Sequence, residues 1–499
     1  MGAFPPTPYF TGLNAPVRTE VSLEGLTVTG TLPPEVHGAF FRAVPDPAFA
    51  PKFADDHTLS ADGMISRVRF NANNTADYAI RFVETARHKA EKAAGRALFG
   101  KYRNPFTDDE TMAGVDRTVA NTTPVWHAGR LLMTKEDGRP YRIDPQSLDT
   151  LGSYDFDGLL RSETMTAHVR IDPDSGDLYF YGYEADGLAS TKVAYARVGA
   201  DGELKSEQWF DAPYCAMMHD FTISRNWALF PIYPTTADLD RLRAGGEHWH
   251  HEQDLDSWLG VMPRDGDVAD IKWFKGPKGV HSYHMMNAWE DADGLLHFDQ
   301  CLSSSNAFAF IREPAGLFLN PWEITGGLTR WTVDPKGPAG EVTETVIGPP
   351  GDFPVIPAAK QGRPYQTGWM LTMNPERQGP PVMGGPVLAM FDMLLRLDGL
   401  DTATPQVTQA LPMQPGWCYN EPVHVPAATP GHDGWLVTMV DHQLGEDAFE
   451  HFAWVLDAGN LGAGPVASVH IPARLRPQVH GWWVPQAQLD APSTAGVAA

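Results

Sequence analysis

From about residue 120 to 480 one pattern recurs: short apolar or alternating runs, each broken by Asp, Gly or Pro. RIDPDSGDLYFYGYE, VMPRDGDVADIKWF, AWEDADGLLHFDQ and HDGWLVTMVDH show it. Runs of this length bounded by turn formers read as strands rather than helices. Many of them in succession specify an all-β sandwich, barrel or propeller. The 47 glycines and 43 prolines supply the turns. No fixed-period repeat is visible, so the number of repeated units is not legible. The 499 residues equal about three average domains, yet large all-β folds of this size form one unit. A single domain over 1–499 is therefore expected.

Before that region, residues 1–36 read as a Pro-rich N-terminal lead-in ending in the strand-like LTVTGTLP. ISRVRF and YAIRFV read as two strands joined at Asn73-Asn74. Ala86–Arg96, rich in Ala, Lys and Glu, is the clearest helix and reads as a solvated surface helix. GKYRNPFTDDE reads as a loop, and DLDRLRAGG as a short surface helix. EHWHHEQD, with His248, His250 and His251, is polar and reads as a solvated loop rather than a metal cluster. Asp172 to Asp177 starts like a calcium loop but lacks its remaining spacing, so a hairpin turn is expected. Residues 485–499 are small and polar and read as a frayed tail.

Net charge is −24, which argues against nucleic acid or an anionic membrane surface as the main partner. Three cysteines, Cys215, Cys301 and Cys418, make no disulfide framework and point to a reducing compartment. No secretory signal and no apolar run of about 18 residues is present, so a soluble cytoplasmic protein is expected. There is no G-x-S-x-G elbow, no phosphate loop, no G-x-G-x-x-G after a strand and no H-E-x-x-H. Serine hydrolase, P-loop and common nicotinamide chemistries lose weight.

What remains is histidine and carboxylate. His284 sits among Tyr283, Met285, Met286 and Trp289. A buried imidazole needs a partner at each ring nitrogen, either hydrogen bonds or a metal. His168 in TMTAHVRID, His219 in AMMHDFTIS and His480 in PQVHGWWVP share that setting. Their wide separation is unlike a local zinc motif. It suits ligands delivered from different strands to one point, but on residue types alone hydrogen-bonded core histidines are the commoner case.

The four contexts TAHVRIDPDSG, MMHDFTIS, YHMMNAWE and VHGWW, in this order, resemble the carotenoid cleavage oxygenase family. The resemblance extends over nearly the whole chain, through 121–152, 261–274, DFPVIPAAKQGRPY at 352–365 and NEPVHVP at 420–426. It implies a seven-bladed β-propeller with a dome of loops and short helices over an axial metal site. It implies Fe(II) held by His168, His219, His284 and His480. Neutral imidazoles leave the metal its full charge, and four ligands leave positions for O₂. Family carboxylates that orient the histidines match Glu136, Asp352 and Glu421, paired with His219, His284 and His480 respectively. Asp352 stands where the family has glutamate. One methylene shorter, it reaches its histidine directly or through a bridging water.

Within the family the chain resembles the lignostilbene dioxygenase branch, which carries a lysine and a tyrosine at the positions of Lys135 and Tyr102. A buried lysine is costly against a hydrocarbon and suited to a phenol. Lys135 and Tyr102 would both hydrogen-bond a 4-hydroxyl group, and the ammonium would favour the phenolate. Neighbours on a regular strand face opposite ways, so Lys135 and Glu136 require a bulge or a strand end to share a cavity. Leu59 takes the place of a branch phenylalanine and would remove an aromatic contact with the substrate ring; Phe308 is a further candidate pocket wall. The expected activity is cleavage by O₂ of the interphenyl C=C bond of a 4-hydroxystilbene to two aromatic aldehydes. An isoeugenol-type phenylpropene oxygenase, an apocarotenoid cleaver and a non-enzymatic propeller stand as alternatives. Expected partners are the phenolic substrate and O₂, with a homodimer as one oligomeric state.

Overall fold

A computed structural model describes residues 2–311 and 324–491. The short runs are strands, as their turn spacing requires. Among the described residues five separate sheets are antiparallel and four-stranded, four of them built from consecutive strands and the fifth interrupted by the pair Thr235–Thr236 and His250–His251. The first joins Thr123–His127, Arg130–Thr134, Tyr141–Ile143 and Thr150–Ser153. Another joins His281–Glu290, Leu296–Ser303, Gly326–Val333 and Thr343–Val346. Helices are few, and the fold is all-β and propeller-like.

Contacts gather the chain into two compact units. One runs through Tyr154 and takes up Met373–Leu394 and the chain from Gln409; the other holds Asp155–Thr372 and Leu395–Thr408. In the first unit a ten-stranded sheet is closed by the strand Val21–Gly30. Its beginning pairs with Thr75–Phe82 (Val21 opposite Ile80), and its end pairs with Pro465–Ile471 (Val28 opposite Val469). On the same sheet Gly38–Pro45 pairs with Gly481–Pro485. The lead-in thus contributes a full strand. Phe40, Val68, Tyr78, Val437, Val455 and Val469 form the core beneath this sheet. In the second unit Leu229, Leu259, Phe274, Phe298 and Trp331 form another core. Burial of side chains of this kind contributes roughly 1.5–3 kcal/mol each.

The hairpin at Asn73-Asn74 is present, with Asn74 in the left-handed region at φ 60°. The Asp172 loop is a hairpin turn: Asp172 N donates to Asp177 O at 2.9 Å. The Asp172 carboxylate accepts from Asp174 N and is paired with Arg264 and Arg363, so its oxygens are already committed. The helix in DLDRLRAGG covers Leu239–Arg243, with Asp238 as its cap.

Three expectations change. The helix Ala86–Ala94 is capped by Thr85 and ended by the left-handed Gly95, yet it is not simply a solvated helix. It buries Arg87, His88 and Glu91. Glu91 Oε1 accepts from Leu98 N and Phe99 N at 2.9 and 3.1 Å, and His88 Nδ1 meets Asp62 Oδ1 at 3.1 Å. These bonds offset the burial of polar groups. EHWHHEQD is likewise no solvated loop. His250–His251 pairs with Thr235–Thr236, His248 Nε2 meets Glu184 Oε2 at 3.0 Å, and His251 is fully buried. None of His248, His250 and His251 belongs to a group placed to hold a metal ion among the described residues. The start of the expected frayed tail is ordered: Gln486–Asp490 is a short helix, and residues 492–499 lie outside the described residues. No helix among the described residues is long and apolar enough to cross a membrane.

Candidate active site

Three of the four singled-out histidines come together in the second unit. His168 precedes the strand Arg170–Ile171, His219 precedes Thr222–Ile223, and His284 lies within His281–Glu290. Their Nε2 atoms converge: 3.0 Å from His168 to His219 and 3.2 Å from His219 to His284. His284 Nδ1 meets Asp352 Oδ1 at 2.7 Å. A neutral His284 that donates from Nδ1 to this carboxylate carries a lone pair at Nε2. One proton on His219 Nε2 then points at only one of its two neighbours, and the other close contact lacks a proton. A cation among the three nitrogens satisfies all of them, so this donor set fits a metal ion, and imidazole suits several, iron among them.

The shorter carboxylate of Asp352 reaches its histidine directly, with no bridging water required. The backbone makes up for the missing methylene. The strand Asp352–Val355 slips register against Thr367–Thr372, and Phe353 adopts φ 51°. Phe353 N donates to the same Asp352 oxygen at 2.9 Å, and its ring stacks on His284 at 5.2 Å.

The fourth histidine, His480, lies buried in the first unit and is prepared in the same way. Its Nδ1 meets Glu421 Oε1 at 2.9 Å, and Gly481 N donates to Glu421 Oε2 at 2.7 Å. A Cβ on Gly481 would run into the Phe40 ring, so glycine lets this strand lie close to Gly38–Pro45. Such carboxylate–imidazole pairs fix the tautomer that presents Nε2 to a metal.

Also in the first unit, Lys135 and Glu136 fall just past the strand Arg130–Thr134. The strand end removes the alternation that would have held them on opposite faces. Both are buried. The Lys135 ammonium lies over the Tyr102 ring, 5.1 Å from its centroid, a cation–π contact. Burial pushes Lys135 below the usual lysine range, opposed by Asp137 and Glu136. Burial, then Glu136, pushes the Tyr102 phenol well above its ordinary value. His57 packs edge-on to Tyr102 at 5.7 Å. Burial and the charges of Lys135 and Lys101 lower His57 to about 3, so it is neutral. Leu59 sits in the single turn Thr58–Ser60, held by Asn121 Nδ2 donating to Leu59 O and Ala61 O.

Phe308, in the second unit, packs on Tyr283 with centroids 4.2 Å apart, and Tyr283 meets His219 edge-on at 5.6 Å. Asn306 joins the wall: its Oδ1 accepts from Tyr283 Oη at 2.5 Å and Phe308 N at 2.9 Å, and its Nδ2 donates to Thr235 Oγ1. Proton directions follow. His251 Nε2 donates to Gly279 O, so His251 Nδ1 accepts from Thr235, and Thr235 Oγ1 accepts from His281 Nδ1. Sequence reasoning singled out Phe308 but not Asn306, Thr235, His88 or Glu91. Polar side chains in apolar or helical contexts were their only signal.

A family model described as retinal pigment epithelial membrane protein matches residues 14–485. Lignostilbene-alpha,beta-dioxygenase isozyme III of Sphingomonas paucimobilis is 36% identical over 98% of this chain and 99% of its own. Isoeugenol monooxygenase of Pseudomonas nitroreducens is 37% identical over 96% of this chain and 98% of its own. The crystal structure of Pseudomonas brassicacearum lignostilbene dioxygenase superposes with a TM-score of 0.91 at 35% identity, over 97% of this chain and all of that one. The chain belongs to the retinal pigment epithelial membrane protein, or carotenoid cleavage oxygenase, family and is a dioxygenase of the carotenoid-cleavage type.

Proposed function

We propose that the protein is an iron(II) dioxygenase that cleaves the interphenyl C=C bond of 4-hydroxystilbenes. One molecule of O₂ supplies one oxygen to each of two aromatic aldehydes. In this reading His168, His219, His284 and His480 hold the iron, with Glu136 orienting His219 as Asp352 and Glu421 orient their partners. When bound, the iron supplies O₂ activation. The same reading takes residues 1–499 as one oxygenase domain. It counts seven blades by dividing the ten-stranded sheet where Val21–Gly30 passes from Thr75–Phe82 to Pro465–Ile471. Cys215, Cys301 and Cys418 are buried and in no disulfide, which supports a reducing, cytoplasmic location.

The observation that carries the substrate class is Lys135, a buried ammonium over the Tyr102 ring. A hydrocarbon would offer that ammonium no hydrogen-bond acceptor, whereas a phenol does. Lys135 and Tyr102 bind the 4-hydroxyl, and the ammonium draws its proton equilibrium towards phenolate. Electron density from the phenolate passes through the ring to the conjugated C=C bond and makes it more reactive towards oxygen. Leu59 and Phe308 line the ring's site in this reading.

The test is O₂ uptake by iron-loaded protein with a 4-hydroxystilbene and its 4-methoxy analogue. Uptake with two aldehydes from the first alone is expected. Equal cleavage of both removes the phenol-activation argument. The isoeugenol monooxygenase relative, at closely similar identity, favours a second reading: a phenylpropene oxygenase using the same lysine and tyrosine. Aldehyde release from isoeugenol but not from the stilbene decides for it.

A further inference from the structure

The three converging histidines come from three different sheets, so no single hydrogen-bonded ladder sets their spacing. One side chain touches all three segments. Asp220, next to His219, is 2% exposed. Both of its oxygens accept from Arg170 Nη2 at 2.7 Å, and Arg170 lies two residues beyond His168. Its Oδ2 accepts from Met285 N at 2.9 Å, and Met285 follows His284. Its Oδ1 also accepts from Phe221 N at 2.7 Å, which holds the carboxylate against its own backbone.

We infer that Asp220 is the positioning residue that fixes the segments carrying His168, His219 and His284 against one another. Resting on the proposed metal centre, it deepens that reading by naming what spaces the ligands. The chemistry demands a carboxylate. Only a carboxylate has enough lone pairs to take two backbone N–H groups and a guanidinium nitrogen shared between its two oxygens; an amide of the same shape brings one acceptor atom and turns donors on donors. Groups that orient ligands in this way typically change metal affinity 10–100-fold when altered.

The test compares Asp220→Asn with the unaltered full-length protein. Fe(II) dissociation constants are measured anaerobically by chelator competition, Co(II) serves as a visible-spectrum probe, and amide exchange is followed in the metal-free protein. Fe(II) binding weakened at least tenfold, an altered Co(II) spectrum and faster exchange at Met285 are expected, with far-UV circular dichroism retained. Should D220N fail to fold, Arg170→Gln keeps the bonds to Phe221 and Met285 and releases only the His168 segment. Weaker Fe(II) binding and faster exchange confined to residues near Arg170 are then expected. Unchanged Fe(II) binding and Co(II) spectra in the folded variant overturn the inference. Unaltered protein that takes up no Fe(II) removes the metal centre, and exchange at Met285 in D220N then decides: faster supports the role of Asp220, unchanged refutes it.

Discussion

Lys135→Met isolates the ammonium. Methionine approximates the length of the lysine stem and stays apolar, so the variant keeps the packing on Tyr102 and loses the charge. A hydrogen bond involving a charged group is worth roughly 1.5–3 kcal/mol. At about 1.4 kcal/mol per tenfold, its loss in the transition state lowers kcat/KM for a 4-hydroxystilbene roughly 10- to 150-fold. The 4-methoxy analogue, which has no proton to give up, stays uncleaved by the unaltered protein and the variant alike. Stability moves the other way. Burial is the largest influence on Lys135 and disfavours its charged form, so removing it leaves the thermal midpoint equal or higher. Initial rates of aldehyde formation on iron-loaded protein and a thermal melt provide both readouts. A K135M variant that stays folded and iron-loaded yet cleaves the hydroxystilbene at the unaltered rate refutes the reasoning. Cleavage of the 4-methoxy analogue by the unaltered protein at the hydroxystilbene rate also refutes it, because no phenol proton is then needed.

The same lysine sets a pH dependence. Its native pKa lies below 10.5, so between that lowered value and 10.5 the unfolded chain binds more protons than the native one and stability rises with pH. Urea midpoints across that alkaline window are expected to show the advantage of K135M over the unaltered protein shrinking, and a constant difference contradicts it. Asp352→Asn removes the charge that orients His284, and Fe(II) affinity measured by chelator competition is expected to fall 10- to 100-fold; unchanged affinity denies Asp352 that role. Asp299 is fully buried, takes both arms of Arg330 at 2.7 Å and accepts from Tyr365 Oη at 2.7 Å. Asp299→Asn leaves a buried guanidinium uncompensated and is expected to cost about 3–5 kcal/mol by urea unfolding, with a loss below about 1 kcal/mol contradicting the argument.

The histidines and the aromatic wall differ in how far they were legible in the sequence. Strand, turn and alternation are local, so the hairpin at Asn74, the turn at Asp172 and the all-β class could be read from spacing alone. Motif resemblance singled out His168, His219, His284 and His480 as one set, and the Nε2 atoms of the first three converge. What escaped was polar burial. Ala86–Ala94 has the composition of a solvated helix, and nothing local says that Glu91 will take the N–H groups of Leu98 and Phe99. EHWHHEQD has the composition of a loop, and only long-range partners, Glu184 for His248 and Gly279 O for His251, make its burial affordable. Asp352 was left open for a related reason. Side-chain length alone does not decide between a direct bond and a bridging water, and only the fold, with its register slip and left-handed Phe353, shows the direct bond. Residue type gives a reliable account of chemistry that a side chain carries itself. It gives a poor account of groups whose role is to satisfy or space another group, because that role depends on which distant backbone amide the fold brings near. Asp220 is the clearest case. Its neighbour His219 was singled out at once, while the carboxylate joining three chain segments looked like any strand-end acid.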